Sequence, residues 1–223
     1  MGSTGLMTAK RDAAQTRRDV LRIGGVAAVM AAATGAVAGT ALAATLPAAV
    51  ATSPRFVRPD LLRRALAALD RHGDRFQRDR MAIVDFAAPS AQPRFHFVDL
   101  ASGASVSKLV AHGSGSDPAH TGYLQRFSNQ DGSNASSEGA FVTADYYVGK
   151  HGRSQRLIGL DPTNCNALPR AIVIHGAWYA NNDIIRRHGV LGRSQGCFAV
   201  GEHELAEVFE RLGPGRMIYA AKV

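Results

Sequence analysis

The chain has 223 residues, 46% hydrophobic and 20% charged, which is enough apolar matter for one ordinary core and excludes a disordered or collagen-like chain. Its formal charge is +8, yet beyond residue 51 the balance is only 21 basic against 16 acidic side chains, with no basic run interleaved with aromatics; nucleic acid is not an expected partner. Two cysteines, Cys165 and Cys197, are too few for a disulfide framework or a four-cysteine zinc site.

The first element is an address label rather than structure. Lys10, Arg11, Arg17, Arg18 and Arg22 precede a stretch from Ile23 to Pro54 that carries no charge and is built mainly of Ala and Gly. Basic followed by apolar is export-signal architecture. Thr16-Arg17-Arg18-Asp19-Val20-Leu21-Arg22 resembles the twin-arginine signal. Ala41 with Ala43, or Ala49 with Ala51, offers a small-residue cleavage site. Residues 1–51 are therefore assigned to signal and linker and residues 52–223 to a single folded domain. Contact with a membrane is expected only through an uncleaved signal, and the destination is the periplasm or the cell wall.

After Pro59, Asp60 is placed to cap a helix that carries Leu62, Leu66 and Leu69 inward and ends near Arg71, before Gly73. The period then changes to two. Met81–Phe86, Arg94–Leu100 and Val106–Ala111 read as strands, and Phe95, Phe97 and Leu100 alternating with Arg94, His96 and Asp99 predict a sheet with one wet face. Asn129–Gly139 reads as a loop. Further strands are expected at Ala140–Thr143, Gln155–Leu160, Ala171–His175 and Met217–Lys222, with one closing helix, Glu202–Leu212, ended by Gly213. The fold class is mostly β: a single β-sheet domain with flanking helices.

Chemistry concentrates in Gly192-Arg193-Ser194-Gln195-Gly196-Cys197, read as lying between a loop and a helix start. Cysteine attacks as thiolate, and a helix N-terminus or an adjacent cation such as Arg193 would lower its pKa. Gly196 permits a turn that other residues resist. From the hexapeptide alone, Cys197 is equally well a small buried hydrophobe. His175 shifts that balance. It ends the apolar run Ala171–Ile174 as a base on a strand end should, and Gly176 follows at once. Among the other histidines, His96 sits mid-strand, His188 is in a solvated loop, and His72 and His203 are on helices; most are expected to face solvent. No H-E-x-x-H or paired-cysteine spacing is present, so neither metal nor cofactor is expected.

His175-Gly176 followed by Ser194-Gln195-Gly196-Cys197 resembles the histidine-glycine and serine-histidine-glycine-cysteine signature of L,D-transpeptidases of the YkuD type, and is more similar still to the murein L,D-transpeptidase subgroup. The likeness runs through Ala111-His112-Gly113, Phe127-Ser128-Asn129, Ser136-Ser137-Glu138-Gly139, Tyr147–Gly152, Arg170–Tyr179 and Gly192–Val200. It implies a YkuD-like β-sheet catalytic domain, bacterial export and peptidoglycan stem peptides as substrate. Cys197 would be the nucleophile, His175 its base, the Gly176 carbonyl the group that orients the histidine, and the backbone N–H groups of Gly196 and Cys197 the oxyanion donors. Arg193, Ser194, Gln195 and His151 would meet substrate, although Arg193 also reads as a solvated loop arginine and Ser194 as a plain turn residue. Gln195 departs from the family histidine and cannot titrate, which leaves the proton chemistry to His175. Ala199 also departs, standing where Arg or Asn is usual. Cys165 has no counterpart in the signature and reads as a spare thiol, or as a disulfide partner for Cys197 if the two lie close enough. Transfer to an amine, hydrolysis, and murein binding without turnover all remain open. Trp178–Leu191 is either a groove wall for an acceptor or a solvated loop.

Overall fold

The computed structural model describes residues 57–223; the twin-arginine stretch and both candidate cleavage sites lie outside the described residues. An eight-stranded mixed sheet organises the chain. Its strands are β1 (Arg80–Asp85), β2 (Phe95–Asp99), β3 (Ser105–Lys108), β4 (Gly139–Gly149), β5 (Gly152–Gly159), β6 (Val173–Gly176), β7 (Phe198–Val200) and β8 (Met217–Ala221), and the helices are α1 (Pro59–Arg71), α2 (Asn182–His188) and α3 (Leu205–Leu212). The strand order is β3-β2-β1-β8-β4-β5-β6-β7, antiparallel except for the parallel pairs β1–β8 and β6–β7. Just past β3, Ala111 bridges to Ala199 of β7, which ties one edge of the sheet to the other.

Period-two alternation sends Ala82, Val84, Ile218 and Ala220 into a core shared with Phe95, Phe141, Phe198 and the α3 residues Val208, Phe209 and Leu212. The alternate residues Met81, Ile83, Val98 and Met217 form a second core under Leu61, Ala65, Ala68 and Leu69 of α1. The predicted wet face is therefore wrong. Helix α1 covers it, and His96 is buried, its Nδ1 2.7 Å from Ser107 Oγ. The apolar stripe of α1 also differs from the expected one: Leu66 is exposed, whereas the small Ala65 and Ala68 are buried in the contact with the sheet. Leu61 and Leu69, both buried, each contribute roughly 1.5–3 kcal/mol. Asp60 does not cap; Arg58 is the N-cap, Pro59 opens the helix, and Asp60 lies in the first turn, where its charge suits the dipole.

Helix α3 begins at Leu205 rather than Glu202, after a turn in which Glu204 N–H donates to Gly201 O at 2.9 Å; His203 is thus in a turn. Strand β7 and helix α2 were not anticipated, and His188 is the last residue of α2 rather than part of a loop. No helix among the described residues is long and apolar enough to cross a membrane.

Candidate active site

The parallel pair β6–β7 builds the site. His175 on β6 is in register with Ser154 of β5 on one side and Ala199 of β7 on the other, and Cys197 is the residue that enters β7. Both side chains line one cavity of about 490 Å³, together with His151, Arg193, Ser194 and Gln195. All six had been singled out in the sequence.

His175 is buried and its Nδ1 lies 2.9 Å from Gly176 O. A carbonyl only accepts, so Nδ1 carries the proton and the neutral ring keeps its basic lone pair on Nε2. Burial pushes the His175 pKa down, against the Gly176 carbonyl; the neighbouring His151 and Lys150 push it down further. A base with a lowered pKa stays neutral to lower pH. Acylation at Cys197 is therefore expected to reach half its plateau below about pH 6.5, the ordinary imidazole value. A midpoint at or above it, in stopped-flow acylation across pH, would contradict His175 as the buried base.

Cys197 is only partly buried by accessible surface, yet burial is the main influence on its thiol and pushes the pKa up; a hydrogen bond from the Val173 backbone and the charges of Lys150 and Arg170 oppose it without prevailing. Its Sγ lies 3.5 Å from Ala171 O, and Ala171 holds a backbone φ of 52°, a conformation that residues with side chains seldom adopt. Cys197 leads into strand β7 rather than a helix, so the expected helix N-terminus is not there to lower its pKa. Nor is Arg193 the influential cation: its Nη1 donates to Asp117 O and to Pro118 O, the latter at 3.1 Å. A thiol with a raised pKa needs a base to take its proton as it attacks.

Ser194 holds the turn. Its hydroxyl donates to Cys197 O at 2.7 Å and accepts the Gly196 N–H at 3.1 Å. That N–H becomes available to an oxyanion only if Ser194 turns away. Gly196 has φ +111°, and a Cβ there would meet Ala135 O at 2.7 Å and Ile172 Cδ1 at 2.8 Å. Gly196→Ala is expected to cost about 1–3 kcal/mol in denaturant unfolding and to slow acylation, because both strain and clash fall on the turn that leads into Cys197. Gln195 is exposed in the cavity wall.

His151 arrives from the β4–β5 hairpin, whose turn is Lys150-His151 between the paired Gly149 and Gly152. Its ring stacks on His175 with centroids 4.3 Å apart and planes at 21°. The sequence pointed to His151 only through its motif. Arg170 and Lys150 were given no role. Arg170 donates to Ser128 O, Ser137 Oγ, Ser133 Oγ and Ala135 O at 2.7–3.2 Å, which clamps the Asn129–Gly139 loop against the cavity. Cys165 is exposed and Cys197 partly so; both thiols are free, and Cys165 is held near Asn129 Nδ2 at 3.2 Å, not among the cavity's lining residues. Among the described residues no group of three His, Cys, Asp or Glu side chains could hold a metal ion.

A buried polar cluster supports the loop that carries Cys197. Arg94 is fully buried, donates to Val110 O and Ala88 O, and its Nη2 lies 2.8 Å from His112 Nδ1. Because guanidinium only donates, His112 Nε2 carries the ring proton and donates to Asp117 Oδ2 at 3.3 Å. Burial, and then the Arg94 charge, push the His112 pKa down to about 4. His112 O accepts the Ser194 N–H at 2.9 Å, and Ser194 O accepts that of Ser114 at 2.8 Å.

The family model for the L,D-transpeptidase catalytic domain, of the YkuD_2 type, matches residues 55–221. Among solved structures, an L,D-transpeptidase from Mycobacterium smegmatis is 12% identical, with 64% of this chain and 58% of that chain covered and a TM-score of 0.39. An L,D-transpeptidase from Mycobacterium tuberculosis H37Rv is 13% identical, with 65% and 58% covered and a TM-score of 0.37. L,D-transpeptidase 3 from Mycobacterium tuberculosis is 12% identical, with 65% and 61% covered and a TM-score of 0.37. The chain thus spans less than two thirds of the length of these relatives. Comparison with curated proteins finds no match. With three quarters of its length under that one family model, the chain belongs to the L,D-transpeptidase catalytic domain family.

Proposed function

We propose that the protein is an exported cysteine acyltransferase that forms cross-links between peptidoglycan stem peptides. The observation that carries this reading is the meeting, in one cavity, of Cys197 with a histidine whose Nδ1–H is fixed on Gly176 O. His175 Nε2 takes the proton from Cys197 Sγ as sulfur attacks the carbonyl of the third stem residue. The tetrahedral adduct collapses, the bond to the terminal D-Ala nitrogen breaks, and His175 returns the proton to the leaving amine. An amine from a second stem then attacks the thioester, gives its proton to His175, and releases Cys197 as thiol. The Cys197 N–H, with that of Gly196 once Ser194 turns, supports the oxyanion.

Disaccharide-tetrapeptide supplied as donor and acceptor is expected to yield a dimer joined between two third-position residues, together with free D-Ala, by mass spectrometry. Tripeptide alone, with amine acceptor in excess, would make the protein a hydrolase. Neither product and no acyl-enzyme would leave only a murein-binding role. Export by the twin-arginine route rests on Arg17 and Arg18 being read as a pair. The double substitution Arg17→Lys and Arg18→Lys keeps the charge and is expected to leave the protein in the cytoplasm on fractionation; normal delivery would reject that route.

A further inference from the structure

A stem peptide hangs from a sugar. When its third residue lies at Cys197, two residues of extended chain at roughly 3.3 Å each and a short acyl link leave the glycan within about 10–15 Å of the sulfur. Tyr179 shares the lining of one cavity with Cys197. It also lines a second hollow of about 190 Å³, walled by Trp178, Ile184, Val190, His120 and His188. The two spaces share a tightly packed wall, for a Cβ on Gly192 would lie 2.5 Å from Tyr179 Cβ.

Three features of the second hollow point to a ligand. Trp178 is 66% exposed, set edge-on to Tyr179 with ring centroids 5.8 Å apart, and its indole N–H has no acceptor among the described residues. Beside a hollow, such a large flat apolar face offers a stacking surface to a ligand. His120 is held at φ 53°, a strained conformation for a residue with a side chain, and its Nε2 lies 2.8 Å from Leu191 O. Nε2 therefore carries the proton and Nδ1 is left as an acceptor. His188 adds a second imidazole at the end of α2.

A pyranose ring matches this chemistry: its C–H face suits the indole and the almost wholly apolar wall of the hollow, while its hydroxyl and acetamido groups stay at the open rim beside the exposed indole N–H and the two imidazoles. The hollow has about the volume of one acetylated sugar ring and is too small for a protein segment. We propose that Trp178, with His120 and His188, forms a shelf that binds an N-acetylhexosamine ring of the glycan strand bearing the stem peptide. The proposal rests on the function given above for Cys197.

Trp178 is the one tryptophan of the chain, so its emission reports the shelf directly. The full-length protein, and its Cys197→Ala variant, would be titrated with tetra-N-acetylchitotetraose, a peptide-free probe. Both are expected to show a saturable change in emission with millimolar midpoints. The preference of the enzyme for disaccharide-linked over free tetrapeptide, taken as a ratio of kcat/KM values, is expected to fall about 10-fold in Trp178→Ala. Emission unchanged by the tetrasaccharide, or a preference unchanged in Trp178→Ala, would overturn the shelf. If neither peptide is turned over, the acyltransferase reading fails, and the titration still decides the shelf by itself.

Discussion

Replacing Cys197 with Ala is expected to abolish the covalent adduct that a carbapenem-class β-lactam forms with the protein, whereas Cys165→Ser is expected to leave it in place. The β-lactam carbonyl is attacked as the peptide carbonyl would be, so the adduct isolates the first half of the reaction from the fate of the acyl group. Cys197 lines the cavity beside His175, while Cys165 does not line it and stands exposed near Asn129. Intact-protein mass followed by peptide mapping places the adduct. His175→Ala is expected to slow its formation by about 100-fold or more, because a thiol with a raised pKa loses the acceptor of its proton. An adduct confined to Cys165 would overturn the assignment of the nucleophile.

Arg94→Met is expected to destabilise the fold by about 3–5 kcal/mol in chemical denaturation. The guanidinium is fully buried, its burial lowers its pKa to about 9, and the charges of Asp85 and Asp117 hold it up. Methionine fills much of the space but leaves Val110 O, Ala88 O and His112 Nδ1 without their donor and buried Asp117 without its cation. The damage is expected to reach catalysis as well, since His112 O anchors Ser194. His112 also sets an acid limit. Its folded pKa of about 4 lies below the usual 6.5, so it contributes no penalty above pH 6.5; as pH falls from there to about 4, protonation increasingly favours the unfolded chain, by roughly 3 kcal/mol in full. An Arg94→Met midpoint close to that of the unsubstituted protein would show that the cluster adds nothing to stability.

What the sequence disclosed follows from how local each signal was. Strand β2 alternates Phe95 and Phe97 with His96, β1 and β8 hold the unbroken apolar runs Met81–Val84 and Met217–Ala221, and α3 carries Val208, Phe209 and Leu212 at helical spacing, so neighbours along the chain were enough to read them. Strand β7 has only three residues, all apolar, and shows no period; it exists because β6 lies beside it. Helix α2 buries Ile184 alone, and its polar sequence resembles a loop. The candidate nucleophile Cys197 and candidate base His175 came from short motifs that hold each residue and its immediate supports together. Partners at long range did not. The commitment of Arg193 to Asp117 O, the grip of Arg170 on Ser128 and Ala135, and the seating of His151 on His175 join residues that only the folded sheet brings together. Arg94, expected on a wet face, illustrates the same limit: it is buried among Ala88, Val110 and His112, neighbours that only the fold brings to it.

Strand β8 sits in the middle of the sheet, between β1 and β4, although it is the last strand in sequence. Its parallel pairing sets Met81 against Met217 and Asp85 against Ala221, contacts that span most of the described chain. Until Met217–Ala221 has left the ribosome, the β3-β2-β1 hairpins and the β4–β5 hairpin have no strand to join them, and both halves of the apolar core stay open. Assembly of the cavity that holds Cys197 and His175 must therefore wait for β8, and the domain should collapse late and slowly, as chains with such distant pairings do, rather than half by half.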